Sequence, residues 1–400
     1  MTLRNNENGK LFTGTFLLAN LLNLLVLTGY NLINILYPLR LEDFGKHTSK
    51  IGLIMGAFAV AGLSARLLSG PWIDRIGRLF FIRFGIIIAV TSALLYAIPV
   101  KSDIYIIMVR IIHGVSHGFF FTSMFTWIAD YSPRSRLAES LGLFGISGLI
   151  TISIGPYIGE NILRTTNYNY LYFFIAAVAF YLFGLFLSLF LKELHHVEEG
   201  KPTGSLLFLM ANVHVAAVAV IAFIFGMGTS SIWTFMAPYV RLKGLGKVST
   251  FFTAYTAAAI AVRLFFGSFA DGIKRQYVIS GGFIIMMLGL SYIYKAGTPG
   301  ELLIIGIFIG TAHGFVYPSM NALIIERAGF ENKGAGTGLF NASVDSGNLA
   351  GAFIFGLAAE RLSFPAMYAL AGIIISSGVL IFYIGELIRR CTDSLNSCRK

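Results

Sequence analysis

Acidic residues and cysteine are scarce in this chain. Asp and Glu together number 19 in 400 residues, cysteine 2, and charged residues of both signs make up only 12%. So few charges cannot clothe the surface of an ordinary water-soluble protein. Cys391 and Cys398 lie in the polar C-terminal tail with no histidine beside them, which makes neither a disulfide framework nor a zinc ligand set. A Gly-x-x-x-x-Gly-Lys-Ser/Thr segment is also missing, so there is no phosphate-cradling loop for ATP. No nucleophile–base pair stands out either, and we expect no enzyme, no cofactor and no resident metal.

What the chain has in excess is apolar. Hydrophobic residues make up 56% of it, and the mean hydropathy is +0.76. Apolar runs of roughly 20 residues recur throughout, the length of a bilayer-spanning helix, whereas a barrel would show alternating segments of about 10. The expectation is an all-α integral membrane protein with twelve spans, near residues 14–38, 50–70, 79–98, 102–128, 137–163, 168–191, 211–240, 248–270, 276–296, 300–325, 335–359 and 364–388.

The net charge of +11 does not point to nucleic acid, because basic residues stand singly or in pairs between the apolar runs. With these spans, about 17 Lys and Arg fall on the side that carries the termini and about 10 on the other, so the positive-inside rule puts both termini in the cytoplasm. A multi-pass protein of the plasma (inner) membrane is expected. The first apolar run, from Phe16, continues without a small-residue cleavage site, and we read no removable signal peptide.

The longest polar interruption follows Lys192 and carries His195, His196, Glu198, Glu199, Lys201 and Pro202. It divides the spans six and six, into a bundle over 1–192, a linker over 193–210, and a second bundle with its tail over 211–400. The halves also repeat in sequence. Arg66-Leu67-Leu68-Ser69-Gly70 with Asp74 and Arg78 returns as Arg263-Leu264-Phe265-Phe266-Gly267 with Asp271 and Arg275. His117-Gly118-Phe119 returns as His313-Gly314-Phe315, Ser123-Met124 as Ser319-Met320, Gly142-Leu143-Phe144 as Gly338-Leu339-Phe340, and Asp130 falls opposite Glu326. Matches in the same order describe two pseudo-symmetric six-helix bundles related by an axis along the membrane normal.

Between the second and third runs lies a compact charged stretch, Gly70 to Arg83, containing Asp74, Arg75, Gly77 and Arg78. It reads as a short cytoplasmic hinge in which Asp74 caps the start of the third helix or a neighbour and Arg78 reaches Asp130. Asp271, Arg275 and Glu326 offer the same pairing in the second half. The first copy is the fuller, because Gly77 is replaced by Lys274 and Asp74-Arg75 by Asp271-Gly272.

These residues resemble the major facilitator superfamily, and the resemblance covers essentially the whole chain. Gly70 to Arg83 is similar to the superfamily's loop between helices 2 and 3, and Arg110-Ile111-Ile112-His113-Gly114 to its helix 4 signature. Gly155-Pro156-Tyr157-Ile158-Gly159 is similar to the helix 5 signature of drug:proton antiporters, with Glu160 where that pattern has another glycine. Tyr37-Pro38-Leu39-Arg40 and the run from Ile51 to Ala57 resemble exporters of metal-chelating metabolites. The resemblance implies the major facilitator fold, alternating access, and a hinge network that stabilises the outward-facing state.

Several polar groups fall inside the spans. In the first, Asn20, Asn23, Asn31 and Asn34 share one face, continued by Pro38, and serve either interhelical hydrogen bonding or a substrate cavity. Arg110, His113 and His117 form a stripe in the fourth, suited to proton handling or anion recognition, with snorkelling open to Arg110. His313 repeats His117. In the eleventh, Asn341, Asp345 and Asn348 lie at helical spacing, and Asp345 is a carboxylate well inside a span, a site for protons or cations or else half of a salt bridge. Arg66 and Arg263 sit about one turn inside their spans, to snorkel or to gate.

The leading expectation is therefore a monomeric, proton-coupled secondary transporter that exports a small amphipathic or metal-chelating molecule, such as a drug, siderophore or other metabolite. Asp345 is its first proton carrier, with His117 and His313 behind it. Alternatives are a proton-coupled importer of an organic anion or sugar, and, from another class, a non-transporting receptor or scaffold in the bilayer.

Overall fold

In hydrocarbon every backbone N–H and C=O must find its partner within the protein, and a helix does so within one segment. The computed structural model describes residues 11–133, 136–193, 206–266, 273–329 and 332–397. Among them, twelve helices are long enough to cross a bilayer. They are α1 (Gly14–Asp43), α2 (Thr48–Ile76), α3 (Arg78–Ala97), α4 (Asp103–Tyr131), α5 (Leu137–Thr165), α6 (Tyr170–Ser188), α7 (Val213–Lys243), α8 (Val248–Phe265), α9 (Arg275–Tyr292), α10 (Pro299–Ala328), α11 (Lys333–Arg361) and α12 (Phe364–Ser397). A short helix, Leu206–Ala211, precedes α7, and one 3₁₀ turn, Ile293–Lys295, follows α9.

Eleven of the twelve are also apolar enough to span by composition. The remaining one, α11, is 29 residues long, and Asn341, Asp345 and Asn348 dilute its hydropathy. Its polar content is the same feature that singles it out chemically.

Local signals set the ends. Asn169 and Asn212 accept from the amides of Leu171 and His214 at the starts of α6 and α7, and Thr298 with Glu301 forms a capping box on α10. The hinge is tighter than its composition suggests. Helix α2 runs on through Gly70 to Ile76, and only Gly77 separates it from α3. Its φ of +116° is open to glycine and strained for other residues, so the break falls there.

Contacts divide the chain into two compact units, Met1–Glu199 with Lys247–Thr253, and Gly200–Gly246 with Ala254–Lys400. The first turns of α8 thus group with unit 1 and the rest of α8 with unit 2. Within unit 1, α4 packs on α2 and α3, α1 on α5 and α6, and α3 on α6. Within unit 2, α7 packs on α11 and α12, and α9 on α10 and α12.

Matching glycines allow the closest approaches. A Cβ on Gly114 of α4 would collide with the backbone carbonyl of Phe58 on α2, and one on Gly310 of α10 with that of Tyr255 on α8. Both glycines precede the repeated histidine by one helical turn. Small residues let backbones meet where lipid offers no hydrophobic drive to hold helices together.

Candidate functional site

The hinge network joins the start of α3 to the end of α4. Arg78 begins α3 with its side chain almost fully buried, and its Nε lies 2.8 Å from Oδ2 of Asp130 at the end of α4. The second half repeats the pairing, with Arg275 Nε 2.7 Å from Oε1 of Glu326. The copies differ in exposure: the Arg78 side chain is 2% exposed and the Arg275 side chain 31%. Arg75 is exposed, while Asp271 and the side chain of Asp74 lie outside the described residues.

Glu193, just past α6, accepts the backbone N–H of Arg78 at 3.0 Å and of Leu79 at 2.8 Å. A carboxylate between two free amides at a helix N-terminus is well placed for both hydrogen bonding and the helix dipole. Around it, Arg83 donates to the Ser188 carbonyl and Trp127 Nε1 to the Lys192 carbonyl.

In the interior of unit 1, His117 is set among three rings, one each from α1, α2 and α4: Tyr30 at 4.8 Å, Phe58 at 5.4 Å and Phe121 at 5.6 Å between centroids. Arg66 Nη2 donates to its Nδ1 at 3.3 Å, and the Arg66 guanidinium lies 4.6 Å over the Phe121 ring. A neutral imidazole that accepts at Nδ1 carries its proton on Nε2. Tyr30 also stacks on His113 at 4.9 Å and is hydrogen-bonded to Ser116.

Unit 2 builds the same cage. His313 stacks on Phe225 of α7 at 5.6 Å, with Tyr255 of α8 at 5.5 Å and Tyr317 of its own helix at 5.3 Å. First, second and fourth helices of each half thus supply one ring apiece. Phe58 and Tyr255, and Phe121 and Tyr317, stand at repeat-related positions. On α11, Asn341 accepts from the Tyr317 hydroxyl at 2.9 Å and Asn348 from Thr229 of α7 at 3.1 Å. Between these two tethers sits Asp345, half-buried.

Arg110 is fully buried, about two turns into α4. Its Nη2 donates to Asn34 Oδ1 at 3.0 Å, and its guanidinium lies 4.6 Å over Phe58. It does not snorkel. His113, also fully buried, meets the Tyr181 hydroxyl at 3.1 Å through Nε2.

The asparagine stripe of α1 is spent mostly on helix contacts. Asn23 donates to Ser147 and Asn31 to Thr151, both on α5, while Asn20 returns to the Phe16 carbonyl of its own helix. The α5 motif completes that packing. A Cβ on Gly155 would press on the α1 backbone at Leu32, one on Gly159 would strike Leu36, and Pro156 lies within the helix.

Glu160, the departure from the motif, is buried and engaged. Its Oε1 accepts the N–H of Val248 at 2.7 Å and its Oε2 that of Ser249 at 2.9 Å, at the start of α8. Beside it, Lys247 donates to Asn161 and Ser153 meets Thr253. Sequence reasoning missed Glu160 and Glu193 as structural ligands. The available signal was their type, carboxylates at the border of apolar runs.

The sequence profile of the Major Facilitator Superfamily matches residues 19–252 and 218–390, together most of the chain. The chain belongs to this superfamily. It is 22% identical to the Staphylopine export protein of Staphylococcus aureus (strain Mu50 / ATCC 700699) over 399 residues, covering 95% of this chain and 98% of the relative. It is likewise 22% identical to the Quinolone resistance protein NorA of Staphylococcus aureus (strain MSSA476) over 370 residues, covering 89% and 93%. Among solved structures, the nucleoside transporter NupG superposes with a TM-score of 0.76 at 13% identity, covering 94% of this chain and 99% of NupG, which shows the shared fold. This superfamily member is therefore a multi-pass membrane protein of the major facilitator fold.

Proposed function

We propose that this protein is a proton-coupled secondary transporter that exports a small amphipathic or metal-chelating molecule by alternating access. The observation that carries the reading is the placement of ionisable side chains inside membrane-length helices of both units, Arg110, His113 and His313 buried and His117 and Asp345 half-buried. Such groups are costly in a bilayer and are kept there for ion or substrate handling. The direction of transport follows the relatives named for staphylopine export and quinolone resistance. The absence of a nucleotide-binding segment from the sequence leaves an ion gradient as the driving force.

In this reading the chain is a non-enzymatic monomer of the plasma membrane with both termini cytoplasmic, two six-helix halves and a cytoplasmic linker over 193–210. The Arg78–Asp130 and Arg275–Glu326 pairs hold the cytoplasmic side closed and part when it opens. Asp345 is the proton carrier, kept on the α11 face by the tethered Asn341 and Asn348. His117 takes a proton on Nδ1 only when Arg66 withdraws, so Arg66 gates it, and His313 is the counterpart in the second half.

The test compares the media of cells overproducing the wild type, Asp345→Asn, or nothing, by untargeted mass spectrometry at equal membrane protein levels. A compound enriched by the wild type and lost with Asp345→Asn or with a protonophore supports the reading. Equal enrichment by the variant removes Asp345 from coupling, and no enriched compound counts against export.

A further inference from the structure

Among the described residues, no carboxylate pairs with Arg110. Its Nη2 donates to Asn34 on α1 and, at 3.5 Å, to the Met55 carbonyl on α2, while Nε and Nη1 have no hydrogen-bond partner although the whole side chain is closed to water. The Tyr96 hydroxyl stands beside the guanidinium. The remaining walls are aromatic, with Phe58 at 4.6 Å and Tyr37 at 5.9 Å from the guanidinium carbon. One turn along α4, His113 has its Nε2 engaged by Tyr181 and its Nδ1 unpartnered and buried. If Tyr181 donates, the ring proton is on Nδ1, which is then a second idle donor.

A guanidinium that served only to tie helices together would have its donors used by those helices. Here a permanent positive charge is desolvated and three of its five N–H donors have no hydrogen-bond partner. A buried charge without a counter-charge is retained at a large cost. Among the described residues no anion answers it.

We propose that Arg110 anchors a carboxylate of the transported molecule, with His113 Nδ1 as the second donor and the rings of Tyr37, Phe58 and Tyr96 against its hydrocarbon part. The inference rests on the transporter reading above and narrows its substrate to carboxylate-bearing molecules. Arginine is suited to this because its planar fork matches a carboxylate, which an ammonium does not. A cationic substrate would meet the Arg110 charge and is disfavoured at this place. The site is closed in the conformation described, so the carboxylate enters and leaves as α1 and α2 shift against α4 during the cycle.

The experiment uses the full chain in lipid nanodiscs and radiolabelled 2-naphthoate, with neutral 2-naphthamide as competitor. Saturable naphthoate binding is expected, with the amide at least tenfold weaker as competitor. Arg110→Gln should weaken naphthoate binding at least tenfold. Arg110→Lys, which keeps the charge and loses the fork, should weaken it by a smaller factor; if the Gln variant does not purify as a monodisperse species, the Lys variant decides. Equal competition by the amide, wild-type binding by a well-folded Arg110 variant, or no saturable binding by the wild type each overturns the inference. Flux in liposomes separates it from the broader reading. Export of a neutral or cationic compound that is unchanged by Arg110→Gln leaves the transporter reading standing while the carboxylate site falls. Carboxylate binding without flux of any substrate does the reverse.

Discussion

Glu160 holds the amino end of α8 by its backbone, one carboxylate oxygen accepting from Val248 and the other from Ser249. Both atoms of the clamp are buried, and the ligated amides are among those a helix leaves unsatisfied. Glu160→Gln keeps one acceptor and loses the charge, at a cost of about 1–2 kcal/mol for a charge-assisted pair. Hydrogen exchange at the Val248 and Ser249 amides should therefore accelerate about tenfold. Asn161→Ala, which removes only the Lys247 contact, should leave those two amides nearly unchanged.

The two hinge copies predict unequal sensitivity. Arg78 is buried and Arg275 is not, so removing Arg78 takes a charged partner from Asp130 at a partly buried site while removing Arg275 breaks a more exposed pair. Arg78→Ala should cost about 2–3 kcal/mol and Arg275→Ala no more than about 1 kcal/mol in denaturant unfolding from mixed micelles. Accessibility labelling should shift further toward the cytoplasm-open state for Arg78→Ala. Equal effects in both measurements would remove the asymmetry.

Gly77 and Glu193 form a second testable pair. An alanine at Gly77 is strained at φ +116°, and its Cβ would sit 3.0 Å from Glu193 Oε2. Gly77→Ala should cost about 1–2 kcal/mol and Glu193→Ala about 1 kcal/mol. Because both disturb one cap, the double variant should cost less than the sum, as read in a double-mutant cycle.

The matching glycines give a packing test with an internal control. Gly114→Ala and Gly310→Ala each drive a methyl into a backbone carbonyl of the neighbouring helix, which must move away, at about 1–3 kcal/mol. Gly142→Ala on α5 meets nothing within 4 Å and should be neutral or slightly stabilising. Thermal unfolding of the three variants in detergent separates the cases.

Much of the hinge was legible because it is local and repeated. Arg78 and Asp130, and Arg275 and Glu326, are ends of successive helices, and the repeat places each acid opposite its base. The asparagine stripe was legible as a face of α1, while its partners Ser147 and Thr151 were not, since hydroxyls on α5 leave no periodic mark. Glu160 and Glu193 were illegible for a sharper reason. Each binds backbone amides far along the chain, 88 residues away for Glu160 and Val248, and amides have no sequence identity. The ring cages were illegible too, because aromatic residues are frequent along the spans and only folding shows which three meet each histidine.

The most direct measurement of proton-coupled export is uptake of the compound identified from the medium into everted membrane vesicles under an imposed proton gradient, acid inside. Wild-type vesicles should accumulate it, a protonophore should collapse the uptake, and Asp345→Asn at equal protein should fall at least tenfold. Uptake that ignores the protonophore, or undiminished coupled uptake by Asp345→Asn, would contradict the assignment of Asp345 as the proton carrier.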